Sequence, residues 1–173
     1  MRRRLPWLVL LGAVIQVTVL YHSASVSATP AQGFAATTLA MGRLAEIDVI
    51  PSNFKPEGHK PINWRSWQKT KGPSDLYVQS NVWQPGGSTG WHTHPGHSLI
   101  IVTDGTVTSY DAHDPDCKPH VYTRGMGFVD PGGGHVHILR NEGDVVAKTI
   151  AIQLIPEAAV RWIDAQDPGN CHF

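Results

Sequence analysis

The chain contains 173 residues, enough for one domain with a short appendage. Its 14 basic and 14 acidic residues give a formal net charge of zero, so no positive excess indicates nucleic-acid binding. Hydrophobic residues make up 41% of the chain, which is too many for a disordered protein. The 17 glycines and 13 prolines fall mostly in turn-like clusters, a pattern that favours many short strands over long helices.

Residues 1–28 have the pattern of a secretory signal peptide. Three arginines at positions 2–4 precede an apolar run over residues 5–20, and small residues then lead to Ala28. The alternative is a membrane anchor, but the run is shorter than the ~20 residues that a spanning helix needs. We therefore expect cleavage near Ala28 and a secreted or periplasmic protein, with membrane contact only through the uncleaved segment.

The rest of the chain is predicted to fall into three parts. These are a lead-in (29–74), a β-barrel core (75–155) and a C-terminal part that ends in a tethered tail (156–173). Within the lead-in, residues 29–43 are expected to be loose, residues 45–50 to form a first strand, and residues 52–72 to form an irregular loop packed down by its tryptophans. The core has short apolar or alternating runs between glycine-rich turns, which predicts an antiparallel sandwich or small barrel. One short helix is expected over residues 156–165, so the predicted fold class is all-β with little helix.

Cys117 and Cys171 are the two cysteines of the chain. Because export would take them to an oxidising compartment, a structural disulfide is the preferred interpretation, and it would tether the C-terminal tail. Two free thiols and two metal ligands are the alternatives. The lack of a CxxC pair argues against metal binding by these cysteines.

Two histidine pairs carry the main functional signal of the sequence. His92 and His94 lie two residues apart, and so do His135 and His137. Alternate side chains of a strand share a face, so one pair can reach a single metal ion, and a neighbouring strand would bring a third imidazole to it. Neutral imidazole is a common ligand of Zn, Cu, Fe and Ni. The alternative is that these are surface or hydrogen-bonded histidines.

Both pairs lie in motifs that resemble those of the cupin family. The first motif consists of Gly86, His92-Thr93-His94, Ser98 at the place of the family's Glu, and Gly105. The second consists of Gly125, Pro131, His137 and Asn141, with one extra residue in the glycine turn. The resemblance covers residues 86–141, extends through flanking strands over 75–155, and implies a cupin-type antiparallel β-barrel, also called a double-stranded β-helix or jelly roll.

The resemblance implies a metal site formed by His92, His94 and His137. His137 is preferred to His135 because only His137 keeps the three-residue gap to Asn141. The implied cofactor is one divalent transition metal, and the sequence does not choose among Fe, Mn, Ni, Cu and Zn.

The implied site departs from the family pattern in its lack of a carboxylate. Ser98 is a poor ligand, and His97 would face the other way on a continuous strand. His135 is the candidate catalytic residue, as a proton shuttle or a substrate contact, because it would share the strand face of His137. The alternative interpretation is that His135 is a histidine at the barrel rim without a catalytic role.

The predicted function is an exported metal-binding cupin that acts on a small organic substrate as an oxygenase, isomerase or lyase, with dioxygenase-like chemistry placed first. A protein that binds or senses a small ligand or the metal without catalysis is the alternative. An inert barrel with a decayed site is a third, supported by Ser98 alone. The expected partner is a small molecule and not nucleic acid. The sequence does not decide whether the protein forms a homodimer.

Overall fold

The structure is a computed structural model that describes residues 28–49 and 66–173. The predicted signal peptide therefore lies outside the described residues, apart from Ala28. In the described parts the regular secondary structure consists of twelve strands: β1 (Gln32–Leu44), β2 (Asp48–Val49), β3 (Gln68–Lys69), β4 (Ser74–Ser88), β5 (His92–Thr93), β6 (Ser98–Asp104), β7 (Thr106–Asp111), β8 (His120–Thr123), β9 (Gly127–Asp130), β10 (His137–Arg140), β11 (Ala147–Pro156) and β12 (Ile163–Asp164). Within these two ranges no helix is long and apolar enough to span a bilayer.

Ten of these strands form one antiparallel sheet that curls into a nearly closed barrel. Its main path runs β12-β5-β10-β4-β11-β6-β9, with β1 also paired to β4, and with β7 paired to both β10 and β8. The short strands β2 and β3 form a separate two-stranded sheet. The predicted all-β antiparallel barrel is confirmed.

The barrel wall follows the two-residue period of a half-buried strand. On β6, Ser98, Ile100 and Val102 are buried, whereas Leu99 and Ile101 between them are about half exposed, at 51% and 54%. Strands β4 and β11 alternate in the same way over much of their length. Every second residue of these three strands therefore faces the barrel interior, where His92, His94 and His137 also lie.

Two groups of buried side chains pack the barrel. The first contains Trp83, Val107, Leu139 and Ala147, and the second contains Trp91, Tyr110, Ile138 and Cys171. The predicted disulfide is confirmed, with 5.3 Å between the Cα atoms of Cys117 and Cys171. Because Cys171 is itself part of the second group, the disulfide ties the C-terminal tail and the loop after β7 to the core.

The predicted loose segment over residues 29–43 is wrong. Strand β1 pairs with β4 along its length, from Gln32 opposite Ser88 to Leu44 opposite Ser74. Most of its side chains are exposed, so it lacks the apolar alternation that marks a half-buried strand. The sheet thus begins at Gln32 and not at residue 75.

Two expectations for the lead-in are only partly met. The strand expected over residues 45–50 is reduced to β2, with residue 50 outside the described ranges. Most of the expected loop over residues 52–72 also lies outside them. Its tryptophan at position 67 is 66% exposed and so does not pack the loop down.

The predicted helix over residues 156–165 is also wrong. Pro156 is the last residue of β11, a turn follows in which Ala158 has φ 57°, and β12 then pairs with β5. The positive φ interrupts the helical conformation that the local composition favours. This segment instead crosses the end of the barrel, where it delivers Arg161 and Trp162 to the histidines.

Candidate metal centre

Three histidines converge at one end of the barrel interior. His92 on β5 is the direct Cα partner of His137 on β10, which confirms that the second motif lies beside the first. His94 is the first residue after β5. All three histidines are buried, with exposed fractions of 2% for His92, 6% for His94 and 4% for His137. One ring nitrogen from each can be chosen so that all three lie within 4.8 Å of one another. We call these three residues the inner centre.

Hydrogen bonds to the backbone set the tautomer of each of these rings. His92 Nδ1 lies 2.9 Å from the carbonyl oxygen of Gly90, and His94 Nδ1 lies 2.7 Å from the carbonyl oxygen of Arg161. His137 Nδ1 lies 3.3 Å from the carbonyl oxygen of His135. A carbonyl oxygen only accepts, so each Nδ1 carries the hydrogen and each Nε2 keeps a free lone pair. This is the arrangement in which an imidazole held from outside can bind a metal through Nε2.

Burial also keeps the inner centre neutral. It lowers the pKa of His92 well below its usual range, with the neighbouring His137 and His94 as further causes. Burial is likewise the main reason that the pKa values of His94 and His137 are lowered. Neutral imidazole is the form that binds metal, so the rings are ready to do so at neutral pH.

The inner centre borders a cavity of about 40 Å³. Its wall is partly polar, because Gln79 on β4 and Gln153 on β11 line it among apolar side chains. The guanidinium Nη1 of Arg161 donates to Gln79 Oε1 at 2.6 Å, which places a positive charge at the cavity. Trp162 stacks on His92 with a centroid distance of 3.7 Å and an interplanar angle of 3°. The space suffices for a few non-hydrogen atoms, far less than an ordinary small-molecule pocket.

Asp130 is a part of this site that the sequence motifs did not reveal. It is 4% exposed, ends β9, and is the Cα partner of Ser98, the residue at the place of the family's Glu. Its Oδ2 lies 3.5 Å from His94 Nε2, and its Oδ1 lies 3.7 Å from His137 Nδ1. Arg161 and Trp162 were missed as well. No local pattern marks Arg161 or Trp162, whereas two-residue alternation on β9 was a usable signal for Asp130.

His135, the predicted catalytic residue, lies outside the main cavity. Its Nε2 is 2.9 Å from Asp111 Oδ2, and its side chain is 33% exposed. His113 Nδ1 lies 3.3 Å from the other oxygen of the same carboxylate. Potential ligand atoms of these three residues also lie within 4.8 Å of one another, and we call them the outer cluster.

Two further motif residues have structural surroundings. His97 lines a surface pocket with Pro73 and Leu154 and so faces away from the inner centre, as expected. Asn141 is 1% exposed, and its Nδ2 donates to the carbonyl oxygens of Trp83 and Val145. The three-residue gap between His137 and Asn141 thus reflects the turn that ends β10.

The geometry agrees with the family to which the sequence is similar. Residues 81–153 match the family model of the cupin domain. The chain therefore contains a cupin domain. No curated protein matches this cupin by sequence.

One solved structure of similar length supports the barrel fold, and two others are similar over part of the chain. The polyketide cyclase RemF from Streptomyces resistomycificus is 14% identical, with a TM-score of 0.50 over 88% of this chain and 90% of that protein. A cupin 2 conserved barrel domain protein from Leptotrichia buccalis is 19% identical, with a TM-score of 0.43 over 70% of this chain and 40% of that one. An oxalate oxidase in complex with the substrate analogue glycolate is 24% identical, with a TM-score of 0.40 over 45% of this chain. This chain spans 41% of that oxidase.

Proposed function

We propose that this cupin is an exported protein that holds one divalent transition metal through His92, His94 and His137 and acts there on a small anionic organic molecule. The observation that carries the proposal is the set of three buried imidazoles whose Nδ1 atoms are all occupied by backbone carbonyl oxygens. The buried Nε2 of His137 has no hydrogen-bond partner among the described residues. Buried polar atoms rarely stay unpaired, so a ligand for that lone pair is expected.

The donor set fits such a metal. Three neutral imidazoles suit Zn, Fe, Cu and Ni, and they leave coordination positions for a ligand. When bound, the metal would supply a Lewis acid that polarises an oxygen atom of the ligand. Export is supported by the signal-like N-terminus and agrees with the Cys117–Cys171 disulfide.

The residues around the cavity support an anionic ligand. Arg161 brings a guanidinium, which pairs with carboxylate or other oxyanion groups through two parallel hydrogen bonds. Gln79 and Gln153 offer amide groups for neutral parts of the ligand, and in the described chain the buried Gln153 Oε1 lacks a partner. Trp162 and Phe34, whose rings lie 5.9 Å apart, cover the cavity and restrict the entry of water.

The small cavity bears on the choice between an enzyme and a binding protein. A volume of about 40 Å³ admits only a compact ligand unless the segment that carries Trp162 moves. An enzyme with a small organic acid as its substrate and a protein that binds such an acid both fit this limit. We place the enzyme first, because a guanidinium and two amide groups beside the three imidazoles suit chemistry on a bound oxyanion.

We propose His135 as the residue that carries protons to and from the inner centre. Asp111 holds its Nε2, while its Nδ1 is buried and has no partner in the described ranges. Potential ligand atoms of His135, His137 and Asp130 lie within 4.8 Å of one another. If this role is right, His135→Gln should slow turnover and leave the metal content unchanged. A variant with wild-type turnover would contradict it.

The experiment starts from protein recovered from the export compartment. We expect close to one divalent metal per chain by elemental mass spectrometry, and little metal in His92→Ala. The iron(II) form should bind nitric oxide, and acetate should perturb the signal of that complex. Arg161→Gln should weaken the effect of acetate, and Arg140→Gln, at an arginine outside the cavity lining, serves as the matched control.

Conversion of a small organic acid by the loaded protein would establish the enzyme. Loaded protein that binds acetate and converts no acid in a panel would establish the binding protein instead. Protein that takes up no metal in any form would overturn the proposal as a whole.

A further inference from the structure

Asp130 presents an unpaired carboxylate oxygen inside the barrel. Its Oδ1 accepts the backbone N–H of Gly132 at 2.9 Å, whereas its buried Oδ2 has no hydrogen-bond partner anywhere in the described chain. A buried carboxylate without a compensating charge is costly, because it has lost its hydration. The described residues thus show a negative group whose partner is missing.

The histidine nitrogen that faces this oxygen is itself an acceptor. Asp130 Oδ2 lies 3.5 Å from His94 Nε2, and the hydrogen of that ring is on Nδ1, which donates to the Arg161 carbonyl oxygen. Two lone pairs therefore face each other in a buried site. This arrangement is repulsive unless a positively charged species lies between the two atoms.

We infer that Asp130 is a fourth, anionic ligand of the metal held by the inner centre. The inference rests on the proposed function, and it changes the chemistry of that site from three neutral donors to three neutral donors and one carboxylate. A carboxylate favours harder divalent ions and reduces the positive charge of the loaded site.

The position of Asp130 explains how this chain tolerates a serine in the first motif. Ser98 and Asp130 are Cα partners on β6 and β9, and both side chains are buried at the cavity. The carboxylate absent at position 98 is thus present directly across the strand pair. It reaches the same cavity from β9.

The turn after Asp130 is sterically constrained to orient it. Gly132 has φ 61°, and a Cβ atom there would collide with the carbonyl oxygen of Gly96. Only glycine therefore keeps the N–H of residue 132 in place to hold Asp130 Oδ1. The free Oδ2 is left turned toward His94.

The test compares zinc affinity, measured by competition with a chromophoric chelator, in full-length mature protein. Asp130→Asn keeps the shape and the acceptor for Gly132 but removes the charge, and we expect its affinity to fall at least about 100-fold. Asp111→Asn, which changes a carboxylate of the outer cluster, should stay within about threefold of wild type. Restoring a carboxylate across the strand pair, in the double variant S98E/D130N, should recover at least about tenfold of the loss.

Metal-free melting temperatures distinguish a ligand from a merely structural residue. Because the new amide can donate to His94 Nε2, metal-free Asp130→Asn should melt no lower than metal-free wild type. Infrared difference spectra of wild type labelled with ¹³C-aspartate need no variant. Zinc should shift one carboxylate stretching band.

Other results would contradict the role of Asp130 as a metal ligand. Zinc affinity of Asp130→Asn within about threefold of wild type, while wild type binds zinc, would overturn the inference and leave the proposed function standing. A proton shared between Asp130 and His94 would give that result. An unchanged infrared band would also overturn it, and wild type that binds neither zinc nor any other divalent transition metal would overturn both.

Discussion

The inner centre and the outer cluster both contain histidines and meet at the second histidine pair, yet the surroundings of these histidines differ. His135 and His137 are two residues apart, and their ring centroids are 6.0 Å apart. His137 is buried with a free Nε2, whereas His135 is one-third exposed with its Nε2 on the Asp111 carboxylate. Spacing alone does not separate these two residues.

The difference shows which histidines indicate a metal. In the outer cluster a carboxylate already pairs with both rings, and water reaches His113, whose side chain is 72% exposed. An ion pair at such a surface contributes little and needs no metal. In the inner centre the backbone takes every Nδ1 hydrogen, so the unmet requirement points inward at one place. Several imidazoles whose free nitrogens converge at one buried place are therefore a better sign of a metal than histidine count, or than a single unpaired nitrogen such as His135 Nδ1.

The strongest test of this comparison removes the two histidines of the second pair one at a time. His137→Ala should lower zinc affinity on the order of 1,000-fold, because the binding energy of a zinc site is shared among few ligands. His135→Ala should leave zinc affinity within about threefold. The zinc-to-protein ratio after dialysis measures both. If His135→Ala emptied the site and His137→Ala did not, the assignment of the second motif would be wrong.

Removing the disulfide should affect the outer cluster more than the inner centre. The two cysteines are 54 residues apart, and in the chain-entropy model their link stabilises the fold by up to roughly 4 kcal/mol. The double variant C117A/C171A should therefore melt at a lower temperature, measured by circular dichroism, and still bind one zinc ion. Free thiols in unreduced wild type would contradict the disulfide. Loss of zinc from the folded double variant would contradict the separation of the two regions.

The ion pair of Asp75 with Arg43 lies outside both regions and gives the stability of the fold a pH dependence of its own. The hydrogen bond from Arg43 is the main reason that the pKa of Asp75 is lowered, and the N–H of Ala158 adds to it. A carboxyl group whose pKa is lower in the folded state stabilises the protein above its unfolded value near 4, and this contribution is lost as the pH falls through the folded value.

Asp75→Asn should accordingly lower the melting temperature at pH 7, with a difference that shrinks below pH ~4. The control is Asp48→Asn, a carboxylate in an exposed ion pair with Lys69, which should show no such convergence. Thermal melts between pH 3 and 7 measure both. A difference for Asp75→Asn that persists unchanged in acid would contradict the assignment.

The smallest effect is expected from Asp111→Asn. Because the Asp111 carboxylate is one-third exposed, losing its contacts with His113 and His135 should cost at most about 0.5 kcal/mol in the free energy of unfolding. Urea denaturation measures this change. A much larger loss would mean that the outer cluster holds the fold and is more than a surface ion pair.

The barrel and the histidine pairs were predictable because their signals are local. A strand shows its two faces within a few residues, so the spacing of His92 and His94 already implied one shared face. Strand β1 was not predictable, because it is recognised by pairing with β4 and most of its side chains are exposed. The helix predicted after Pro156 failed because the end of β11 and its turn overrode a weak local preference.

The same limit explains the residues missing from the predicted site. Asp130 reaches the histidines through the register between β6 and β9, and sequence periodicity does not contain that register. Arg161 and Trp162 arrive from a segment that crosses the barrel end, a contact between residues about 70 positions apart in the chain. Local patterns thus located two sides of the cavity, and only the fold supplied the others.

X-ray absorption of the zinc-loaded protein tests the central claim most directly. Three imidazoles bound through nitrogen at about 2.0–2.1 Å should dominate the spectrum of wild type, with an oxygen ligand beside them. The multiple-scattering signal of imidazole should weaken in His137→Ala and stay unchanged in His135→Ala. A spectrum with at most one imidazole in wild type, or the same spectrum in His137→Ala, would contradict a metal site at the inner centre.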